Sequence, residues 1–361
     1  MNMPSAKPTS HHGYRMPAEW EPHRGTWLAW PHRRSDWPGK FNTIPLVYAE
    51  IIRTLARFEE VNLLVESPEQ MATARKLLKA VHVNTTHVHY WPCAIDRSWV
   101  RDSGPIFVIN DDGVKWVVDW HFNAWAKYAD WQLDDGVPAF VAATRCLPSV
   151  QPQLRDWRVV LEGGSIDVNG QGLMLTSEEC LLSTQQHRNP PFDRADYEQV
   201  FAEYLGVQKT LWLNRGIVGD DTHGHVDDLA RFVGPRTVVA IEETNPADEN
   251  YVLLQENLER LRGFTDLAGH KLDVVTLPMP RPLSYRGQRL PVSYANFYIA
   301  NGVVIVPTFN DPADRQALGI LAELFPEREV VGIHCVDLVW GLGTLHCMTQ
   351  QEPLGKTALT A

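Results

Sequence analysis

The chain has 361 residues, enough for two average domains or one large one, and its 44% apolar content with 13 Trp can fill a sizeable core. A formal charge of -11 disfavours nucleic acid as a partner and favours small cations, and no apolar run approaches the length that spans a membrane. Five cysteines, an odd count, argue against a closed disulfide framework; the N-terminal MNMPSAKPTSHHGYRMP lacks the charged start and apolar stretch of a secretory signal, so reduced thiols in a cytoplasm are expected.

Residues 1–14 are expected to form a flexible tail. GTWLAWP then reads as a strand, followed by a helix from about Ile44 to Phe58 and a strand from Val61 to Glu66. Ser67-Pro68-Glu69-Gln70 starts a second helix, with a serine cap, a proline at the first helical position and a glutamine three residues after the cap.

From Asp96 onward a pattern of hairpin, helix and strand repeats. The first unit sets PIFVIN and VKWVVDW about Asp111-Asp112-Gly113, then a helix near Val137 to Cys146 and the strand WRVVLE. The second sets SIDV and LMLTS about Asn169-Gly170, a strong hairpin signal, then a helix near Asp196 to Tyr204 and TLWLN. HVDDLARFV and TVVAIEE open the third, which continues with a helix near Asn250 to Arg262 and LDVVTL. The fourth has SYANFYIA and VVIVPTF about Asn301-Gly302, a helix near Ala313 to Leu324 and EVVGIHC. What remains, TLHCMTQQ at one end and GTWLAWP with its helix and strand at the other, makes a fifth unit split between the termini. The expected fold is therefore a single α/β domain over 1–361, a five-bladed pseudo-symmetric propeller closed by pairing of the terminal strands so that no sheet edge is left open.

Polar residues recur in register with the units. Asp102 to Glu162 is 60 residues, Glu162 to His225 is 63, and His225 to Cys347 is 122, about two intervals, with SYANF in the unit between. Equivalent positions in such a ring point to one axis, so these residues are expected to meet in one pocket. Cys347, in GLGTLHCMTQQEP, reads as a nucleophile, although a cysteine taken alone is more often a small buried apolar residue. If THGHVDDLARF starts as a strand, His223, His225 and Asp227 share one face, and a metal site there is the alternative to metal-free chemistry. His346, next to Cys347 on an extended chain, would point away from it, leaving His225 as the better base. Asp102 and Asp227 can grip two edges of a planar guanidinium while Cys347 approaches the central carbon, and Glu162 can orient His225. With no Lys or Arg from Ile217 to Ala230, Asp221 and its neighbour Asp220 make the far end of the pocket acidic.

Together MPAEWEPHRGTWLAWP, DRSWVRDSGP, LEGGSIDVNGQG, HRNPP, DDTHGHVDDLARF, SYANFY, VVIVPTFNDPAD and GLGTLHCMTQQEP resemble the agmatine deiminase (agmatine iminohydrolase) family, related to bacterial-type peptidylarginine deiminases. The resemblance covers nearly the whole chain. It implies the five-bladed propeller of guanidine-modifying enzymes, no metal or other cofactor, a homo-oligomer, and hydrolysis of the small cation agmatine to N-carbamoylputrescine and ammonia. It assigns Cys347 as nucleophile, His225 as general base, Asp102 and Asp227 as guanidinium ligands, Glu162 as the group orienting the histidine, and Trp99 as a wall of the substrate site. Asp221 stands where many relatives carry glutamate, and the loop before Cys347 has Thr344 where Asn or Gly is usual. The competing readings are an arginine or peptidylarginine deiminase, a non-catalytic polyamine- or guanidine-binding protein, and a cysteine amidase, which would want oxyanion donors more than carboxylates.

Overall fold

A computed structural model describes residues 13–355. Of the tail expected over 1–14, residues 1–12 lie outside the described part; Tyr14 is anchored, its hydroxyl accepting from Trp116 Nε1 at 3.1 Å.

The fold is α/β, and each repeat closes into its own small sheet. Two strands pair antiparallel, and a third returns parallel to the second after a helix. In the second unit Asp167–Val168 and Leu173–Ser177 form the hairpin, Arg194–Leu205 is the helix, and Lys209–Leu213 returns. Local chemistry dictates the turns: Asn169 Oδ1 accepts from the backbone N–H groups of Gln171 (2.8 Å) and Leu173 (3.0 Å), and Gly170 supplies the left-handed φ of +70° that a side chain resists. Asp193 and Asp196 form a reciprocal capping box at the start of the helix. The third unit repeats the plan with Ala230–Phe232, Thr237–Glu242, helix Asn250–Gly263 and Asp273–Pro278; the fourth does so with Tyr298–Ile299, Val303–Thr308, helix Ala313–Leu324 and Glu329–His334.

The first unit departs from expectation. After Ile106–Ile109, Lys115–Val118 and helix Val137–Arg145, the strand that joins the sheet is Ser149–Val150, not WRVVLE. The helix ends on Cys146 in the left-handed region, and Leu147-Pro148 lays the chain directly beside Lys115–Val118, so the edge is filled early. Trp157–Arg158 instead closes a two-residue hairpin with Gln153–Leu154, and Val159 to Leu161 run buried, with a single bridge from Val160 to His121.

In the split unit Gln350–Pro353 pairs antiparallel with His23–Ala29, which pairs parallel with Glu60–Val65, which in turn pairs with Val88–Pro92. Helix Pro68–Ala80 starts as expected, Ser67 accepting from the Gln70 N–H. The termini therefore pair, but the sheets stay separate and each keeps two edge strands; the expectation of no open edge is not met.

Buried ion pairs lock the closing strand. Glu352, fully buried, takes Lys115 Nζ at 2.7 Å, Arg145 Nε at 2.9 Å and Trp27 Nε1 at 2.9 Å, tying the first unit to the fifth. Arg101 bonds the carbonyl of His346 (3.2 Å) and Gln351 Oε1 (2.7 Å), fixing the chain on both sides of Cys347. Removing one partner of such a pair strands a buried charge, at a cost of about 3–5 kcal/mol.

Candidate active site

The same construction recurs at the head of each unit: one tight turn just ahead of the first strand of its antiparallel pair. Asp102 lies in Val100–Ser103, Glu162 caps Gly163–Ser165, His225 caps Val226–Asp228, and Asn296 ends Tyr294–Asn296. Cys347 precedes Gln350–Pro353. A tight turn turns side chains inward and keeps them buried, and these five converge.

Distances define the cluster. His225 Nδ1 is 3.7 Å from Asp102 Oδ1 and its Nε2 is 3.7 Å from Glu162 Oε2, so the expected Glu162–His225 contact is an ion-pair separation longer than a hydrogen bond. Cys347 Sγ lies 3.2 Å from Asn296 Nδ2 and 3.8 Å from Asp227 Oδ2. Asp102 accepts from Trp125 Nε1 (2.9 Å) and from the Gly164 N–H (3.0 Å). A Cβ on Gly164 would meet His225 Nδ1 at 2.5 Å and Asp102 Oδ1 at 2.8 Å, which is why LEGGS needs glycine there. Gly343 is constrained alike, a Cβ meeting the Trp99 ring at 2.7 Å and Cys347 Sγ at 3.2 Å.

The His223-His225-Asp227 face does not form. His223 and Gly224 adopt left-handed φ values of 67° and 96°, and the chain then enters a 3-10 turn, so period-two alternation does not apply. His223 points to Ser183 Oγ at 3.1 Å, away from the cluster. Among the described residues, the donors that do lie together at metal-ligand spacing are Glu162, Cys180 and His225, all buried, with ligand atoms within 4.8 Å of one another. The Arg188 guanidinium, 3.0 Å from Glu162 Oε1, already supplies positive charge at that spot, which works against a metal cation.

His346 also departs from expectation. The chain at Cys347 is turned rather than extended, and His346 reaches into the cluster, with Nδ1 2.7 Å from Asp227 Oδ2 and Nε2 2.8 Å from Glu19 Oε2. Glu19 is in turn held by Arg231 (2.9 Å) and by the Ile299 N–H (2.8 Å), which gives the AEWEP segment a structural part.

Electrostatics sort the groups by task. Burial raises Asp102 to about 6, against the pull of His225 and with help from Asp227 and Glu162. Burial alone would raise Glu162 too, but Arg188 and His225 hold it down to about 2. Burial opposes charge on His225, yet Asp102, Cys180 and Glu162 overcome it and keep the imidazole well above its ordinary value, hence protonated at neutral pH. Burial lifts the Cys347 thiol far above its ordinary value, and Asp227, Asp228 and Asp102 lift it further. Such a thiol ionises when a cation arrives between the carboxylates. Asp227 Oδ1 is buried without a hydrogen-bond partner among the described residues, so an acceptor is left over in the cluster.

Asp102 and Cys347 line a cavity of about 560 Å³, walled by Trp99, Trp125, Tyr128 and Trp340, and Asp221 lines it too. Asp221 is not the bare carboxylate that the local sequence suggested. Lys127 bonds its Oδ1, and Tyr128 donates to its Oδ2 at 2.7 Å. Arg33, Arg97 and Arg286 also line the cavity; Arg97 is matched by Asp36 (3.0 Å) and Asp130 (3.1 Å). Asn296, Glu19, Trp125, Arg188 and Lys127 escaped the sequence reading, which turned His346 away from the site. Only Asn296 had a signal, since SYANF sits at the repeat position where the other units place functional groups.

The Porphyromonas-type peptidyl-arginine deiminase family model matches residues 15–353. The agmatine deiminase of Pseudomonas aeruginosa (strain LESB58) is 37% identical, over 99% of this chain and 100% of its own length. That of Stutzerimonas stutzeri (strain A1501) is 38% identical, over 94% and 96%. The solved agmatine deiminase of Enterococcus faecalis is 35% identical and superposes with a TM-score of 0.87 over 95% of this chain and 96% of that one. With a match that runs from before the first strand to the end of the last, the chain belongs to the Porphyromonas-type peptidyl-arginine deiminase family.

Proposed function

We propose that this protein is an agmatine deiminase, hydrolysing the guanidinium C–N bond of agmatine through a covalent adduct on Cys347. One observation carries the reading: Cys347 and Asp102 line a cavity that Asp221 also lines, with His225 3.7 Å from Asp102 and Asp227 3.8 Å from the sulfur. Asp102 and Asp227 take guanidinium N–H groups. The bound cation offsets the carboxylates that hold Cys347 as a thiol, and Sγ, which lines the cavity, gives up its proton to water there. Sγ attacks the central carbon, His225 gives its proton to the departing ammonia, and the neutral imidazole then takes a proton from the water that splits the adduct. The product is a ureido compound, N-carbamoylputrescine.

The same proposal takes 1–361 as one catalytic domain whose sheets stand as five blades about the site. In support, Gln350–Pro353 lies beside Ile106–Ile109, and Asp167–Val168 beside Ala230–Phe232, as innermost strands of neighbouring blades would. It includes a homo-oligomer working in the cytoplasm on a small cation. No helix among the described residues is long and apolar enough to cross a membrane.

Selectivity tests the substrate. The free ammonium of agmatine can replace Lys127 on Asp221 while Tyr128 keeps the second oxygen, whereas the α-carboxylate of arginine would face Asp221 directly. In a ureido assay, kcat/KM for free arginine should be at least ~100-fold below that for agmatine, and agmatine should also be preferred to peptidyl arginine. Asp221→Asn should raise KM for agmatine about tenfold and change kcat less, because it touches the remote amine. Equal efficiency on arginine and agmatine would assign the substrate end wrongly.

The pH profile follows from Asp102. Its raised carboxyl is ionised above about 6 and neutral below, and only the ionised form binds the cation. As pH falls through about 6, kcat/KM for agmatine should therefore drop, approaching tenfold per unit. A profile flat down to pH ~4.5 would remove Asp102 from guanidinium binding.

A further inference from the structure

We propose that Asn296 positions and activates the nucleophile, through an amide locked so that its N–H faces Cys347 Sγ. The proposal rests on the reading of Cys347 as nucleophile. Asn296 is fully buried, and its partners fix which way the amide faces. The backbone N–H of His346, which can only donate, is 3.0 Å from Oδ1, and the Thr344 hydroxyl donates to the same oxygen at 2.7 Å. The nitrogen must therefore lie on the other side, where it donates to Asp228 Oδ1 at 3.0 Å and to Cys347 Sγ at 3.2 Å.

That arrangement favours thiolate over thiol. Oδ1 is also near the sulfur, at 3.5 Å, but its lone pairs are engaged by Thr344 and His346, so a thiol proton finds little there. A thiolate instead gains a fixed donor, and donors to an ionised acceptor are the stronger kind. The titratable groups around Cys347 are Asp102 on its short helix and Asp227 and Asp228 on the turn of the third unit, with the His225 ring beside Asp102 and the His346 ring beside Asp227. Three of these are carboxylates that oppose negative sulfur. Asn296 is a neutral group that offers a proton to Sγ directly, and it comes from the one unit that contributes neither acid nor base to the cluster.

The test reads the thiol apart from substrate. Cys347 is alkylated with iodoacetamide between about pH 6 and about pH 10, where the thiolate fraction rises with pH and a one-unit shift reads as about a tenfold change in rate at each pH; the modified peptide is quantified by mass spectrometry, and exposed Cys146 serves as internal control. In Asn296→Ala the Cys347 profile should move up by about one pH unit with Cys146 unchanged, kcat should fall about 100-fold, and KM should stay within about threefold. A wild-type profile with kcat within about threefold of wild type would overturn the proposal. Should that variant fail to fold by circular dichroism, Thr344→Val decides. It frees the amide to rotate and should shift the profile the same way, with about a tenfold loss in kcat, and an unmoved profile overturns the proposal. Should alkylation of Cys347 leave wild-type turnover intact, the nucleophile assignment itself fails, a result distinct from an unmoved profile.

Discussion

Cys347→Ser should lose at least about 10⁴-fold in kcat while folding normally and still binding agmatine. The change is small in volume, and the backbone around it is held independently, the Cys347 carbonyl by the Arg101 N–H at 3.2 Å and its neighbour His346 by two carboxylates. What disappears is ionisability. The site raises even a thiol well above its ordinary value, and a hydroxyl, far less acidic, gains nothing from a guanidinium at the same distance. Ammonia release assayed on the purified variant checks this, and equilibrium dialysis against agmatine checks that binding survives. Release near the wild-type rate would return Cys347 to the role of a small buried apolar residue.

His225→Gln should cost about 10³-fold in kcat, the scale of a general acid–base group. Its second effect is more diagnostic. The imidazolium is the largest influence holding the Asp102 carboxyl down against burial, so without it that carboxyl rises above about 6. The acid limb of kcat/KM should then move toward neutrality, and KM at pH ~7 should rise as well. A histidine that only packed against its neighbours would lower activity without displacing the limb. Glu162 gives the matching contrast: Arg188 dominates its charge balance, so its carboxylate stays ionised in the variant.

Much of this was legible in the chain because it is local. Hairpins declare themselves through Asn169-Gly170 and Asn301-Gly302, the second helix through Ser67 and Pro68, and the split unit through what the other four leave over. The spacing of Asp102, Glu162, His225 and Cys347 carried the convergence. Alternation failed at His223 to Asp227 because a left-handed pair followed by a 3-10 turn cannot be told from a strand by polarity alone. WRVVLE failed because apolar content marks burial, not sheet membership, and Ser149–Val150 reaches the edge first. Partnerships across the fold were out of reach: Lys127 meets Asp221 from 94 residues away, and His346 meets Glu19 from 327. Neither contact leaves a trace in either segment's own sequence.

The covalent step is the centre of the account, and one measurement addresses it most directly. Enzyme mixed with agmatine is quenched with acid during steady turnover, digested, and read by mass spectrometry at all five cysteine peptides. An amidino adduct carrying the aminobutyl chain should appear on Cys347 within the first turnover, decay as substrate is exhausted, and be absent from Cys93, Cys146, Cys180 and Cys335. An unmodified Cys347 throughout turnover, or an adduct on Cys180 beside His225, would contradict it.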